Sequence, residues 1–288
     1  MKKLNLLLGA LLLAGAANAQ ISTRAQGDNA ATQTQTGNGN QATTTQRGAD
    51  NDADILQVGN LNRATQTQSE TLSGGASDGV ASRNRAMAEQ RGNENVSTQS
   101  TNGDDNSADV YQRGNRNTAS QTQYNNQVAP AWYNEATIRQ VGDDNGASQV
   151  QNGDGNTALA EQTGNNNVSR QTQRSQAIVG SSAYVYQTGN RNDATQSQDG
   201  VGNMATIDQD GNRNTALQSQ VGTSNTAEID QDSDSSWARQ RQDGVGNRSS
   251  ISQGQPGMGG IGATSDRQWA DVTQTGNGNT STIRQDHP

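Results

Sequence analysis

The sequence predicts an all-β protein, a two-sheet β-solenoid in which strands and turns alternate along the chain. Three observations predict this fold class. The unit Gln-x-Gly-x-x-Asn-x-Ala-x-x-x-Gln recurs with a period of eleven residues, its constant positions lie two residues apart, and successive units alternate in type. We count 21 such segments, the last of which ends at Gln285. A fixed period of this kind is typical of a repeat architecture.

The spacing inside the unit favours a strand over a helix, although eleven residues also fit three helical turns. Counted back from the closing Gln, Asn lies at minus six, Ala or Ser at minus four, and a selected residue at minus two. A period of two is the pattern of a strand. Glycine follows two residues after the closing Gln, as at Gly37 and Gly48, where it would cost a helix about 1 kcal/mol each time. Each unit is therefore expected to form seven strand residues and four turn residues.

The residue at minus two defines a longer repeat of 22 residues. It alternates between an amide-type and an apolar-type residue over 18 consecutive segments, and we expect the alternation to fail after the last of them, at Ile283. A rung of the solenoid therefore has two strands, one with an apolar inward residue and one with an amide. Rungs stacked about 4.8 Å apart form two facing sheets. The alternating residues are Thr44, Ile55, Gln66, Ala88, Gln99, Val110, Gln121, Ile138, Gln149, Ala160, Gln171, Val185, Gln196, Ile207, Gln218, Ile229, Gln240 and Ile251.

The Asn at minus six and the closing Gln are predicted to point inward and to form amide ladders along the stack. A buried amide costs about 1–3 kcal/mol if it has no partner, but stacked amides donate to one neighbour and accept from the other. Because Ala or Ser occupies minus four throughout, the two sheets should approach closely and enclose no cavity. The ladder residues expected to mediate assembly are Asn40, Gln46, Asn51, Gln57, Asn62, Gln68, Asn156, Gln162, Asn203, Gln209, Asn279 and Gln285.

The domain organisation predicted from the sequence is a signal peptide over residues 1–19 and a repeat solenoid over 20–288. The leader has Lys2 and Lys3, an apolar run that is too short for a membrane span, and an Ala-Asn-Ala cleavage site at its end. Insertions near 69–79, 124–129 and 174–180 all precede an apolar-type strand, so they should emerge on one edge. A Pro/Gly-rich break near 254–264 follows an apolar-type strand instead.

The composition excludes several classes of protein. With 28% hydrophobic residues, no Phe and no Cys, the chain cannot build a conventional apolar core or a disulfide framework. Intrinsic disorder suits such a polar chain, but the registered repeats argue against it. Both lysines lie in the leader, which leaves 18 Arg against 28 Asp plus Glu. An acidic chain is a poor nucleic-acid binder, so we expect no nucleic-acid partner, and no membrane span after cleavage.

No motif in the sequence predicts catalysis, a cofactor or a metal. The single His is His287, next to the last residue, and a general acid–base pair needs a fixed neighbour. Asp104-Asp105 and Asp143-Asp144 are similar to calcium-binding turns, which rely on a nine-residue period rather than eleven. We therefore expect a non-enzymatic protein whose acidic turns are solvated.

Two further surface features leave alternatives open. Outward threonines and serines on the amide-type sheet resemble the flat Thr-x-Thr face of ice-binding solenoids, but the face is interrupted by Arg170, Leu217, Arg239 and Arg241. The alternative function is therefore a soluble monomeric solenoid that binds ice or acts as an adhesin. The face comprises Thr32/Thr34, Thr65/Thr67, Thr98/Ser100, Ser120/Thr122 and Thr195/Ser197. Outward aromatics serve either fibre bundling and adhesion or ordinary cross-strand packing. They are Tyr111, Tyr184, Tyr186, Trp237 and Trp269.

The repeat resembles the curlin repeat of curli subunits, with full copies at residues 35–46 and Gln198 to Gln209 and a match over about residues 26–285. The resemblance implies a secreted bacterial subunit that polymerises outside the cell into a functional amyloid fibre for adhesion and biofilm matrix. It implies as partners further copies of the chain, other curlin-like subunits and a bacterial export apparatus. The Asn, Ala and Gln positions carry over as inward residues. The chain departs from the family in its larger repeat number, its insertions and its short leader. With no capping segment visible, each sheet edge is expected to template the next copy.

Overall fold

A computed structural model describes residues 29–69, 83–125, 133–175, 179–254 and 267–285, which form strands joined by turns. No helix among these residues is long and apolar enough to cross a membrane. The predicted leader lies outside the described residues, as do most residues of the insertions and of the Pro/Gly-rich break. The strands are β1 Ala30–Thr36, β2 Gln41–Gln46, β3 Asp52–Val58, β4 Arg63–Ser69, β5 Arg85–Arg91, β6 Val96–Asn102, β7 Ser107–Arg113, β8 Thr118–Tyr124, β9 Glu135–Val141, β10 Gly146–Asn152, β11 Thr157–Thr163, β12 Val168–Arg174, β13 Ser182–Asn190, β14 Asp193–Val201, β15 Met204–Asn212, β16 Thr215–Thr223, β17 Thr226–Gln231, β18 Trp237–Val245, β19 Arg248–Gln253, β20 Trp269–Thr275 and β21 Thr280–Gln285.

The strands form two parallel sheets by strict alternation along the chain. Odd-numbered strands make an 11-stranded sheet and even-numbered strands a 10-stranded sheet, each in chain order. We call the first the apolar-lined sheet, because its minus-two residues are mostly Ile, Val or Ala, and the second the amide-lined sheet, because most of its minus-two residues are Gln. The predicted all-β, two-sheet β-solenoid is confirmed.

The register aligns equivalent positions of successive rungs, so the closing residues, nearly all of them Gln, lie beside one another. Gln187 pairs with Gln209, 22 residues along the chain. Across the first insertion the same pairing joins Gln57 to Gln90, 33 residues apart. The three insertions each connect a strand of the amide-lined sheet to one of the apolar-lined sheet, and the Pro/Gly-rich break connects the sheets in the opposite direction. The stack therefore accommodates extra residues at its edges without a change of register.

The core is a thin layer between the sheets. Ile207, Ile229 and Ile251 of the apolar-lined sheet are fully buried and share one cluster with Ala216 and Ala238 of the facing sheet. Alanine opposite isoleucine lets the sheets approach closely, as the minus-four pattern predicts. Because an isolated rung would leave most of this apolar surface in water, burial depends on neighbouring rungs.

The structure corrects the predicted end of the alternation. Ile283 pairs with Ile251 in the apolar-lined sheet, where an apolar residue is regular. The irregular residue is Val272, which pairs with Gln240 in the amide-lined sheet. The Pro/Gly-rich break lengthens one connection without adding a described strand, so the sheets keep their order and Ile283 stays in phase.

The turns repeat one backbone conformation at most of the described corners. Their second residue after the closing Gln is commonly a glycine of positive φ, for example Gly142 at 119°. A Cβ on Gly142 would lie 2.0 Å from the carbonyl oxygen of Gly164 in the next rung. Two residues later a left-handed residue follows, which need not be glycine: Asp144 has φ 59° and Asn166 has φ 60°. The glycine is therefore required both by its dihedral angle and by close stacking of turns.

Candidate assembly site

The closing glutamines of the apolar-lined sheet form one unbroken hydrogen-bonded ladder from Gln35 to Gln285. Each Nε2 donates to the Oε1 of the next glutamine at 2.7 to 2.9 Å. Most also donate to a backbone carbonyl of the facing sheet, as Gln57 does to the oxygen of Gln41 at 3.0 Å. Because β1 and β21 carry the two ends, this ladder runs the full length of the described stack.

The amide-lined sheet carries two glutamine ladders. A threonine in place of glutamine interrupts one of them and shortens the other. The closing ladder is broken at Thr101, between Gln68 and Gln123. The minus-two ladder begins at Gln66, because its neighbour Thr44 is too short to donate to it. The oxygens Gln66 Oε1 and Gln123 Oε1 are consequently buried without a partner, as is Thr101 Oγ1.

Asparagines at minus six connect the strands to the turns. The backbone nitrogen and Nδ2 of Asn95 both donate to Asn62 Oδ1, at 3.0 and 3.1 Å. Asn62 Nδ2 in turn donates to the carbonyl oxygen of Gly92, a turn residue, at 2.7 Å. The sequence predicts the asparagine ladder but gives no signal for the bond to the turn, since the two residues are 30 positions apart. Asparagine therefore fixes both the start of a strand and the turn stacked beside it.

The structure places all twelve of the predicted ladder residues on the inward side of the strands or at strand entry. Eight of them, in inner rungs, are buried: Asn51, Gln57, Asn62, Gln68, Asn156, Gln162, Asn203 and Gln209. The other four are partly exposed because they belong to the first and last rungs: Asn40, Gln46, Asn279 and Gln285.

The two ends of the described stack present complementary hydrogen-bonding groups. At the β1 end, Gln35 donates to Gln57, while its Oε1 accepts no hydrogen bond from the described residues. At the β21 end, Gln285 Oε1 accepts from Gln253 at 2.7 Å, which directs its Nε2 toward the open side and toward the carbonyl of Trp269 at 3.0 Å. The asparagine ladder has the opposite polarity, since Asn279 donates to Asn247 and its own oxygen is left to accept. The β21 end of one copy therefore matches the β1 end of another.

The outer face of the apolar-lined sheet carries a row of carboxylates. Asp208 and Asp230 are neighbours on β15 and β17. Burial, together with the charges of Asp232 and Asp208, raises the pKa of Asp230 to about 6. Burial, with Asp232 and Asp210, also raises the pKa of Asp208. Burial, and after it the like charges nearby, thus favour the protonated form at this face.

Three of the outward aromatics, Tyr111, Trp237 and Trp269, contact residues of a neighbouring strand. Trp237 and Trp269 stack with ring centroids 5.2 Å apart. The guanidinium of Arg239, on the same strand as Trp237, lies 5.8 Å from the Trp237 ring centre. Arg139 lies 5.9 Å from the Tyr111 ring centre. Trp269 nevertheless stays 61% exposed, because it is in the last strand of the amide-lined sheet. Cross-strand packing therefore accounts for these rings, and one ring face remains open at the end of the stack.

The predicted threonine face is corrected in one part. Thr32 and Thr34 lie on β1, which pairs with β3 in the apolar-lined sheet, and not on the amide-lined sheet. The Gln33 between them is amide-type, but a strand's sheet is decided by its order in the chain. Thr65/Thr67 and the remaining pairs do lie on the amide-lined sheet. A regular Thr-x-Thr face is thus shorter than predicted.

The acidic turns contact neighbouring turns. Asp144 forms an ion pair with Arg116 at 2.7 Å, and this hydrogen bond holds the pKa of Asp144 below its usual value. Asp105 pairs with Arg83 at 2.7 Å, and Asp143 accepts a hydrogen bond from the backbone nitrogen of Asn115 at 2.8 Å. Within the described ranges, no group of three or more His, Cys, Asp or Glu residues is arranged to hold a metal ion.

Comparison with protein families matches two stretches of this architecture. The profile described as curlin associated repeat matches residues 103–126 and 200–232. These two stretches carry curlin repeats. The first curlin match contains β7 and β8, and the second contains β15, β16 and β17. Curlin repeats are structural rather than enzymatic, which agrees with ladders that engage their polar groups with one another. Comparison with curated proteins gives no significant match.

Proposed function

We propose that the chain is a secreted, self-assembling structural subunit of a curli-type extracellular fibre that acts in adhesion and biofilm matrix. The observation that carries the proposal is the complementarity of the two ends. One end offers glutamine N–H groups and an asparagine oxygen, and the other offers glutamine oxygens and asparagine N–H groups. The curlin repeats support the same type of protein.

The mechanism is edge templating. A strand added to β21 or β20 gains backbone hydrogen bonds, a ladder bond at each inward amide and apolar contact with the last rung, whereas the same strand in water has none of these. Growth is therefore nucleated and cooperative. The partners are further copies of this chain and other curlin-like subunits, and a bacterial export apparatus delivers it to the cell surface.

To test the proposal, assembly of the purified mature chain is followed over time with a cross-β dye. We expect a lag phase that preformed fibres abolish, because seeds supply finished edges. Asn156→Leu or Gln162→Leu should lengthen the lag, and His287→Ala should leave it unchanged. A chain that stays monomeric with seeds present, or ladder variants that assemble at the wild-type rate, contradicts the proposal. For the adhesive role, cells without the chain should lose surface fibres and attach less to a solid support.

A further inference from the structure

The outermost described strands, β1 and β21, lie in the same sheet. The stack thus has 11 strands on one side and 10 on the other. If a second copy followed by translation alone, its β1 would add to β21 and the amide-lined sheet would be one strand short at each junction. If it followed after a half-turn about the stack axis, its β1 would add to β20 and its β2 to β21. Both sheets would then be continuous.

We propose that a second copy of this chain docks with its β1–β2 rung on the β20–β21 end after a half-turn, so that the two sheets exchange roles at every junction. The inference rests on the proposed self-assembly and specifies its geometry. A missing strand would leave a row of backbone donors and acceptors of β20 without partners, and buried backbone groups without partners destabilise an assembly. The half-turn avoids this cost.

The two turns that would stack have identical sequences. Gln35–Asn40 and Gln274–Asn279 both read Gln-Thr-Gly-Asn-Gly-Asn. Their glycines share a backbone conformation, with φ 110° and 65° in the first turn and 100° and 68° in the second. A Cβ on Gly276 would meet only the Asn279 amide at 3.7 Å, whereas one on Gly244 would lie 2.0 Å from the Gly276 oxygen. The space beyond Gly276 is therefore open for the glycine of another turn.

One inward residue of the first rung favours the half-turn. Gln33 is an amide in the apolar-lined sheet, beside Ile55, and Thr44 is a β-branched residue in the amide-lined sheet, beside Gln66. Gln33 would meet an apolar residue in either arrangement, Val272 after a half-turn and Ile283 after translation alone. Thr44 would pack its methyl group on Ile283 after a half-turn, where translation alone would place the longer amide of Gln33.

Outward residues at the rotated junction form threonine pairs. Thr34 would lie beside Thr273, Thr36 beside Thr275, and on the other sheet Thr43 beside Thr282. Threonine pairs already occur within the chain, as between Thr43 and Thr65. Such cross-strand pairs stabilise neighbouring strands. Arg284 would lie beside a threonine in either arrangement, Thr45 after a half-turn and Thr34 after translation alone.

The rotated junction predicts a fibre of defined symmetry. With 11 and 10 described strands per copy and strands about 4.8 Å apart, each copy should advance the fibre by about 50 Å with a half-turn in addition to the accumulated twist. Translation with a vacant strand would give about 53 Å and no half-turn. The edge that carries the three insertions would lie on alternating sides of the fibre.

Paired cysteines test the junction in the full-length mature chain, which has no native Cys. The double variant Thr34→Cys/Thr273→Cys places thiols on neighbouring strands only in the rotated junction. The matched variant Thr32→Cys/Thr282→Cys does so only in the translated one. Within one copy these positions lie at opposite ends of the stack, and neighbouring strands are close enough for a disulfide.

Fibres of each variant are oxidised and run on a non-reducing denaturing gel. We expect covalent multimers from most chains of Thr34→Cys/Thr273→Cys and monomer from Thr32→Cys/Thr282→Cys. The reverse pattern, or fibres that crosslink in neither variant, overturns the half-turn while self-assembly stands. If the wild-type chain forms no fibres, the proposed function itself is contradicted. Cryo-electron microscopy of wild-type fibres gives an independent measure of the rise and the rotation.

Discussion

At the residue scale, an inward glutamine holds three partners at once. Gln162 donates to Gln187 Oε1 at 2.8 Å and to the carbonyl of Gly146 at 3.1 Å, and it accepts from Gln140 at 2.9 Å. Gln162→Leu fills the space but leaves three buried polar groups unpaired, at about 1–3 kcal/mol each. We expect a loss of several kcal/mol in the free energy of unfolding, measured by urea denaturation. Gln41→Leu, at an exposed position, is the control and should change it by less than about 0.5 kcal/mol.

Buried serines at the minus-four position lack hydrogen-bond partners. Ser169 Oγ is buried without one, and its neighbours in the sheet at this position are Ala147 and Ala194. Ser169→Ala removes an unsatisfied hydroxyl and should raise the free energy of unfolding by about 1 kcal/mol. Ala194→Ser should lower it by a similar amount. If both variants shift the urea midpoint in the same direction, the hydroxyl is not the cause.

The period of two predicts which residues of a strand share a face, and the burial of particular residues shows which face is inward. Asn156 and Gln162 lie at positions that only the inward face offers, and both are buried. The left-handed residue four places after the closing Gln was not predicted, because Asp144, Asn166 and Arg191 share no side-chain type there. Its conformation comes from stacking against the turns on either side, and such contacts have no local signal.

At the element scale, the turns transmit register between rungs. Gly142→Ala would combine a strained φ of 119° with a Cβ 2.0 Å from the Gly164 oxygen. We expect a loss of about 3 kcal/mol or more, since the clash is with backbone and cannot be relieved by a side-chain rotation. Gly146→Ala is the control, because a Cβ there meets nothing within 4 Å. It should raise stability by about 0.5–1 kcal/mol, as alanine restricts the unfolded chain.

The carboxylate row on β15 and β17 makes stability depend on pH. The pKa of Asp230 is raised from 3.8 to about 6, so the folded state holds this proton more tightly than the unfolded state. Its contribution is therefore complete below about pH 4 and is lost as pH rises through about 6. Asp230→Asn should flatten the fall in urea midpoint between pH 4 and pH 7. Asp199→Asn, an exposed carboxylate on the other sheet, should keep the wild-type slope.

The residue at minus two does not decide which sheet a strand joins. The minus-two residue identifies the sheet for most strands, but it fails for β1, with Gln33, and for β20, with Val272. The physical determinant is connectivity, because each short turn reverses the chain into the other sheet whatever the inward residue is. Both exceptions lie in the first and last rungs of the described stack, where one neighbouring rung is missing among the described residues.

At the scale of the whole molecule, each rung contacts only the rungs beside it, so the ends are the least protected parts of the stack. Strands β9 to β12 have a neighbour on both sides, whereas β1, β2, β20 and β21 have one within the described stack. Backbone amides on their open side exchange with solvent through small, local openings. Because only the end strands have backbone amides on an open side, hydrogen exchange distinguishes end-to-end growth from lateral association of finished solenoids.

Hydrogen exchange with mass spectrometry should therefore change at the ends upon assembly and nowhere else in the stack. We expect peptides that cover β1–β2 and β20–β21 to gain protection together, because every junction joins one of each. Peptides that cover β9–β12 should exchange at the same rate in monomer and fibre, since their hydrogen bonds are already formed. Protection that appears mainly on central strands would show that outer faces, rather than edges, hold the fibre together. Protection at one end alone would mean dimers of like ends, which the uniform polarity of the glutamine ladder disfavours, because two acceptor ends cannot bond to each other.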